Sequence, residues 1–176
     1  MEDLSNKRKE ELEIAKIFLE FFNGKNSTDY FSELNNNENM SDEFVDVYAK
    51  SSSGSHDTML LQVKGVDWGF KKNQCERKKE AEMSEDGSSD VWIRDLEPVQ
   101  WVNNSIVAYK NKYAPAVQSK IILILWIYHA TKIDDLCWVS NLPNTAQIDY
   151  RAVYFVNKVA GISGQVQVMP IKPFFK

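Results

Sequence analysis

The sequence predicts an α/β domain with a central mixed β-sheet flanked by helices, and three observations predict it. Residues 4–22 place apolar side chains at helical spacing. Residues 44–48 and 58–64 alternate polar and apolar side chains with the two-residue period of strands. Residues 121–128, IILILWIY, form a continuous apolar run of strand length, as expected of a central strand covered on both faces.

The first element is LSNKRKEELEIAKIFLEFF. At about 100° per residue, Leu4, Leu12, Ala15, Phe18, Leu19 and Phe22 fall on one face, and Lys16 and Glu20 point away. Glu11 departs from this pattern. It lies about 40° from Ala15 on the wheel, among the apolar residues, whereas Glu10 and Glu13 project to the opposite side. A carboxylate there is either at the fringe of the buried face or aimed into a polar site. Asn23-Gly24 is a helix-stop signal. The stretch KNSTDYFSELNNNENMSDE that follows reads as loop or a short turn of helix.

In the first predicted strand, 44–48, Asp46 shares a face with Phe44 and Tyr48. The loop SSSGSHD leads to the second, 58–64, where Leu60, Gln62 and Lys64 share one face and Leu61 and Val63 the other. Residues 71–90, KKNQCERKKEAEMSEDGSSD, read as a flexible, charged, solvated loop or frayed helix. Beyond Pro98, helical spacing runs through Val99, Val102, Ile106, Val107 and either Tyr109 or Tyr113, and Pro115 bounds it. After the apolar run come two more strands, 150–157 and 165–169, with helix or loop before them.

Length and charge narrow the function. A chain of 176 residues, 43% hydrophobic and 26% charged, fits one domain with a single core. The longest apolar run is too short for a membrane span, which needs about 20 residues. The charged N-terminus is not signal-like, so a cytoplasmic protein is expected. Cys75 and Cys137 have neither zinc-ligand spacing nor a disulfide framework. The net charge of −4 argues against a generic basic coat for nucleic acid. Residues 1–90 hold 12 Lys/Arg against 20 Asp/Glu, and residues 91–176 hold 9 against 5. Either the acidic half holds metal and the basic half meets phosphate, or the asymmetry has no purpose.

Asp46, Gln62 and Lys64 make sense together as a divalent metal site. Mg²⁺ takes about six hard oxygen ligands and keeps several waters, so one carboxylate, one amide oxygen and the Val63 backbone carbonyl suffice. Lys64, about 6–7 Å along the strand from Gln62, can reach a substrate phosphate or water. An Asp in one strand, a hairpin, then "QVK" in the next, after a helix bearing Glu11 and before a helix and an apolar strand, resembles the PD-(D/E)XK nuclease superfamily. The resemblance covers about residues 10–128. It implies the restriction-endonuclease-like fold and a Mg²⁺- or Mn²⁺-dependent cut of nucleic acid, DNA or sometimes RNA, with a homodimer as one assembly. Carried over by position, Asp46 matches the first acid, Gln62 the second, Lys64 the motif lysine and Glu11 the helix-one acid. Val45 stands where the motif has Pro, and Gln62 where it has Asp or Glu. A glutamine lowers the negative charge of the site and puts weight on Glu11. Asp57 and Asp67 are substitutes should the register differ.

For contacts to the nucleic-acid backbone the candidates are Lys71, Lys72, Lys110 and Lys112. Other constellations are poorer. Ser51 to Ser55 with His56 and Asp57 have the composition of a triad but no strained nucleophile turn. Gly161 and Gly164 fit a hairpin turn, not a phosphate loop. Two rival functions remain: a non-catalytic binding module on the same scaffold, and an interaction protein whose acidic half docks a basic partner.

Overall fold

The computed structural model describes residues 4–25, 31–36, 45–51, 58–65, 98–110, 113–129, 148–159 and 166–172. Helix α1 spans Leu4–Lys25 and is followed by strands β1 (Phe31–Asn36), β2 (Val47–Ser51) and β3 (Thr58–Gly65). Helix α2 (Pro98–Lys110) and the single turn α3 (Pro115–Gln118) precede β4 (Ile121–His129), β5 (Ala152–Val159) and β6 (Val166–Lys172). The strands form one six-stranded sheet in sequence order. β1, β2 and β3 pair antiparallel, β3, β4 and β5 parallel, and β6 antiparallel to β5. The sheet is therefore mixed. The β3 to β4 and β4 to β5 connections are long, as parallel pairing requires.

The two faces of the sheet carry separate cores. On one side, Ile14, Ala15, Phe18, Leu19 and Phe22 of α1 pack on Val47, Ala49, Leu61, Val63, Ile122, Ile124 and Tyr154. On the other, Val102, Ile106 and Tyr109 of α2 pack with Ile121, Leu123, Leu125, Val153 and Phe155. Alternate residues of β4 serve opposite cores, which is why its sequence is apolar throughout. Each fully buried Leu or Ile there contributes about 1.5–3 kcal/mol. The buried arc of α1 includes Ile14, beyond the face drawn from the wheel. Val107, expected on the apolar face of α2, is exposed.

The strands expected at 150–157 and 165–169 are shifted to Ala152–Val159 and Val166–Lys172, and three further differences bear on the site and the sheet edge. The stretch read as loop after α1 contains the edge strand β1, whose Phe31 and Leu34 pack against the α1 core. Asn23 anchors it: its side-chain amide donates to the Phe31 carbonyl at 2.9 Å, and its oxygen accepts the Phe31 N–H at 3.1 Å. Helix α1 runs past the Asn23-Gly24 stop signal to Lys25. β2 begins at Val47, so Asp46 precedes the strand. β5 is tied to α1 by Lys158, whose ammonium lies 2.6 Å from a Glu13 carboxylate oxygen.

The 71–90 loop lies outside the described residues, as do Asp57, Asp67, His56, Gly161, Gly164 and both cysteines. Among the described residues, no helix is long and apolar enough to cross a membrane.

Candidate active site

Asp46 is positioned by a break in the strand period. Val45 and Tyr48, three residues apart, both join the α2-side core, while Val47 and Ala49 join the α1-side core. Val47 faces Leu61 in the register, yet the Asp46 N–H also donates to the Leu61 carbonyl at 3.0 Å. Two residues of one strand thus oppose one of its partner, the count that defines a β-bulge. The consequence is directional. The Asp46 carboxylate turns toward β3, where Oδ2 accepts the Val63 N–H at 2.8 Å. A side-chain oxygen has taken the place that a β2 carbonyl fills in a regular ladder.

Lys64 reaches the same carboxylate. Its Nζ donates to Asp46 Oδ2 at 2.8 Å and to Oδ1 at 3.2 Å, and both side chains are largely buried. Val63 contributes more than its N–H. A strand residue directs its N–H and C=O toward the same neighbour, so the Val63 carbonyl also points to the side where Asp46 sits.

Glu11 approaches from α1 and is buried. Its pKa is raised above the ordinary carboxylate value, first by burial and next by repulsion from the Asp46 carboxylate. Lys7 and Lys64 oppose that shift. Lys7 is one turn back on the helix, its ammonium 3.6 Å from a Glu11 oxygen and mostly exposed, so it screens the charge weakly. Two carboxylates from different elements therefore feel each other, and Lys64, paired with Asp46, acts on both.

Gln62 is buried on the α2 side of the sheet. Its Oε1 accepts the Tyr150 hydroxyl at 2.9 Å, and its Nε2 donates to the Tyr113 hydroxyl at 3.2 Å. Sequence reasoning placed Gln62 with the metal ligands; here both ends of its amide are engaged by phenols. Neither tyrosine was singled out as a partner, and no local pattern names them, because they lie 51 and 88 residues away. Burial raises the pKa of Tyr150, helped by Tyr113, Tyr109 and Asp46, so its phenol stays protonated and donates.

Among the described residues, no three or more His, Cys, Asp and Glu side chains stand together as a metal cage. Of the three positions expected to carry acids, Asp46 and Glu11 are carboxylates and the third is Gln62. The donor types present, the Asp46 carboxylate, the Val63 carbonyl and the Glu11 carboxylate that feels the Asp46 charge, are the hard oxygens that a cation keeping most of its water would take. Lys110 ends α2, and Lys71, Lys72 and Lys112 lie outside the described residues. Among the tryptophans, Trp126 is buried in the core, its ring 3.5 Å from where a Cβ on Gly65 would stand. Comparison of the chain with protein-family models, with curated proteins and with solved structures finds no match.

Proposed function

We propose that this chain is a Mg²⁺- or Mn²⁺-dependent nuclease of restriction-endonuclease-like fold that hydrolyses phosphodiester bonds in DNA. One observation carries the reading: Lys64 of β3 meets Asp46 at the head of β2, with Glu11 of α1 in their electrostatic field. These are three of the four positions carried over from the resemblance, and they come from three separate elements. The mixed sheet with a helix on each face supports the fold.

The division of labour follows from the contacts. Asp46 and Glu11 are the charged groups that hold the cation, with the Val63 carbonyl as a neutral third donor. When bound, such an ion polarises the phosphate and lowers the pKa of water. The Val63 N–H fixes the Asp46 carboxylate so that it need not reorganise on binding. Lys64 carries the only inner positive charge among the described groups of this cluster. Its Nζ hydrogen-bonds the attacking water and offsets charge developing on the phosphate oxygens.

The direct test is cleavage of labelled single-stranded, duplex and branched DNA and of RNA with Mn²⁺. Metal-dependent cutting that disappears with chelator supports the proposal. A chain that cuts none of these substrates loses the catalytic assignment.

A second reading has its own support. Lys64 engages both Asp46 oxygens and both ends of the Gln62 amide are held by phenols, an arrangement also suited to a binding module that uses the scaffold without catalysis. Such a module binds nucleic acid or protein but shows no saturable Mn²⁺ binding.

A further inference from the structure

We infer that Gln62 is a positioning residue, clamped between Tyr150 and Tyr113 to hold the β3 strand at Asp46, and that it does not ligate the metal. The inference rests on the proposed nuclease reading and assigns its motif glutamine a different task.

The amide has one oxygen and one nitrogen, and each faces a phenol. Tyr150 donates to Oε1 at 2.9 Å, and Nε2 donates to the Tyr113 oxygen at 3.2 Å. Each end of the amide is thus held by one hydrogen bond, and the two phenols grip it from opposite sides of its C–N bond. The Tyr150 bond takes one lone pair of Oε1 and the Tyr113 bond holds the other end of the amide, so moving Oε1 onto a cation would disturb both bonds at a buried side chain.

Both phenols are themselves held at the backbone. The Tyr113 carbonyl accepts from Gln118 Nε2 at 2.9 Å, and the Tyr150 carbonyl from Lys172 Nζ at 2.7 Å. The Gln118 carbonyl in turn accepts the Arg151 N–H at 3.2 Å, next to Tyr150. Gln62 is thus the point where β3 is fastened to the turn after α2 and to the approach to β5. The two residues that follow it, Val63 and Lys64, are the ones whose N–H and ammonium meet Asp46. A fixed Gln62 sets where they stand, as outer groups do around metal sites generally.

The experiment follows the Gln62 side-chain amide by NMR during a Mg²⁺ titration, with Tyr150→Phe and Gln62→Met as variants. The expected result has four parts. Mg²⁺ shifts the Val63 amide and leaves the Gln62 side-chain signals in place. Those signals exchange slowly with solvent in the wild type and faster in Tyr150→Phe. Gln62→Met binds Mn²⁺ with unchanged affinity. Both variants lose about tenfold or more in kcat with KM unchanged. A Gln62 amide that moves with Mg²⁺, or a Gln62→Met protein that binds Mn²⁺ about tenfold more weakly, overturns the inference. So does a Tyr150→Phe protein that melts earlier but cuts at the wild-type rate while folded. If Mg²⁺ moves no signal at all, the nuclease reading falls separately, and slow exchange that Tyr150→Phe abolishes still supports the clamp.

Discussion

The ammonium of Lys64 lies 2.8 Å from Asp46 Oδ2 and 3.2 Å from Oδ1, bridging the point where β2 leaves its regular pairing with β3. The ion pair joins the two residues whose separation across the sheet would have made a catalytic role impossible. In the proposed nuclease the ammonium and an incoming cation would compete for the same oxygens.

That competition gives Lys64→Met opposite effects on two measurements. Without the ammonium the Asp46 carboxylate is open, so calorimetry is expected to show Mn²⁺ binding at least as tight as in the wild type. Cleavage is expected to fall by about 10²-fold or more, the usual cost of losing a charged group aimed at the developing charge. A variant that loses metal binding and activity together would mean that Lys64 only supports the fold.

Asp46 separates structure from charge. Asp46→Asn keeps an oxygen acceptor for the Val63 N–H, so chemical denaturation should find its stability close to the wild type. Asp46→Ala leaves that N–H and the Lys64 ammonium without their partner and is expected to cost about 1–3 kcal/mol. Both substitutions are expected to abolish the metal-dependent cutting proposed for the chain.

Glu11 contributes a pH signature. Its carboxyl is buried beside Asp46 and titrates above the ordinary 4.5, so the folded state holds this proton more tightly than the unfolded chain. The resulting stabilisation is complete below pH 4.5 and is lost as pH rises through the raised value. Glu11→Gln removes the penalty of the buried charge. Its melting temperature is expected to exceed the wild type at neutral pH, with the difference shrinking as the medium is acidified. A gain that is constant with pH would show that Glu11 does not titrate in the fold.

The Asn23 clamp sets the stability of the sheet edge. Asn23→Ala removes two hydrogen bonds to the Phe31 backbone and is expected to cost about 1–3 kcal/mol in total. Hydrogen exchange should show the loss first in the amides of β1. Uniform acceleration across β3 and β4 would place Asn23 in the global core instead.

What could be read from sequence was what repeats locally. The wheel placed Glu11 among apolar residues, and it is buried there; β3 alternates as its sequence does, and β4 is apolar because both of its faces are covered. β1 was missed because FSELNN has an edge strand's polarity, and the clamp that holds it, Asn23, reads as a helix stop. The start of β2 was misplaced because FVDVY alternates without a flaw, while the bulge at Asp46 is imposed by pairing with Leu61. The partners of Gln62 were invisible for a different reason. Tyr113 and Tyr150 are brought to it only by the parallel pairing of β3, β4 and β5 and the packing of α2, and no spacing along the chain encodes that meeting.

Titration of Mn²⁺ into the wild type and into Asp46→Asn, followed by calorimetry, tests the site most directly. One saturable site in the wild type that vanishes in Asp46→Asn is the result that two carboxylates and a β3 carbonyl predict. No saturable heat from the wild type, or equal binding by the variant, would contradict a metal centre at Asp46.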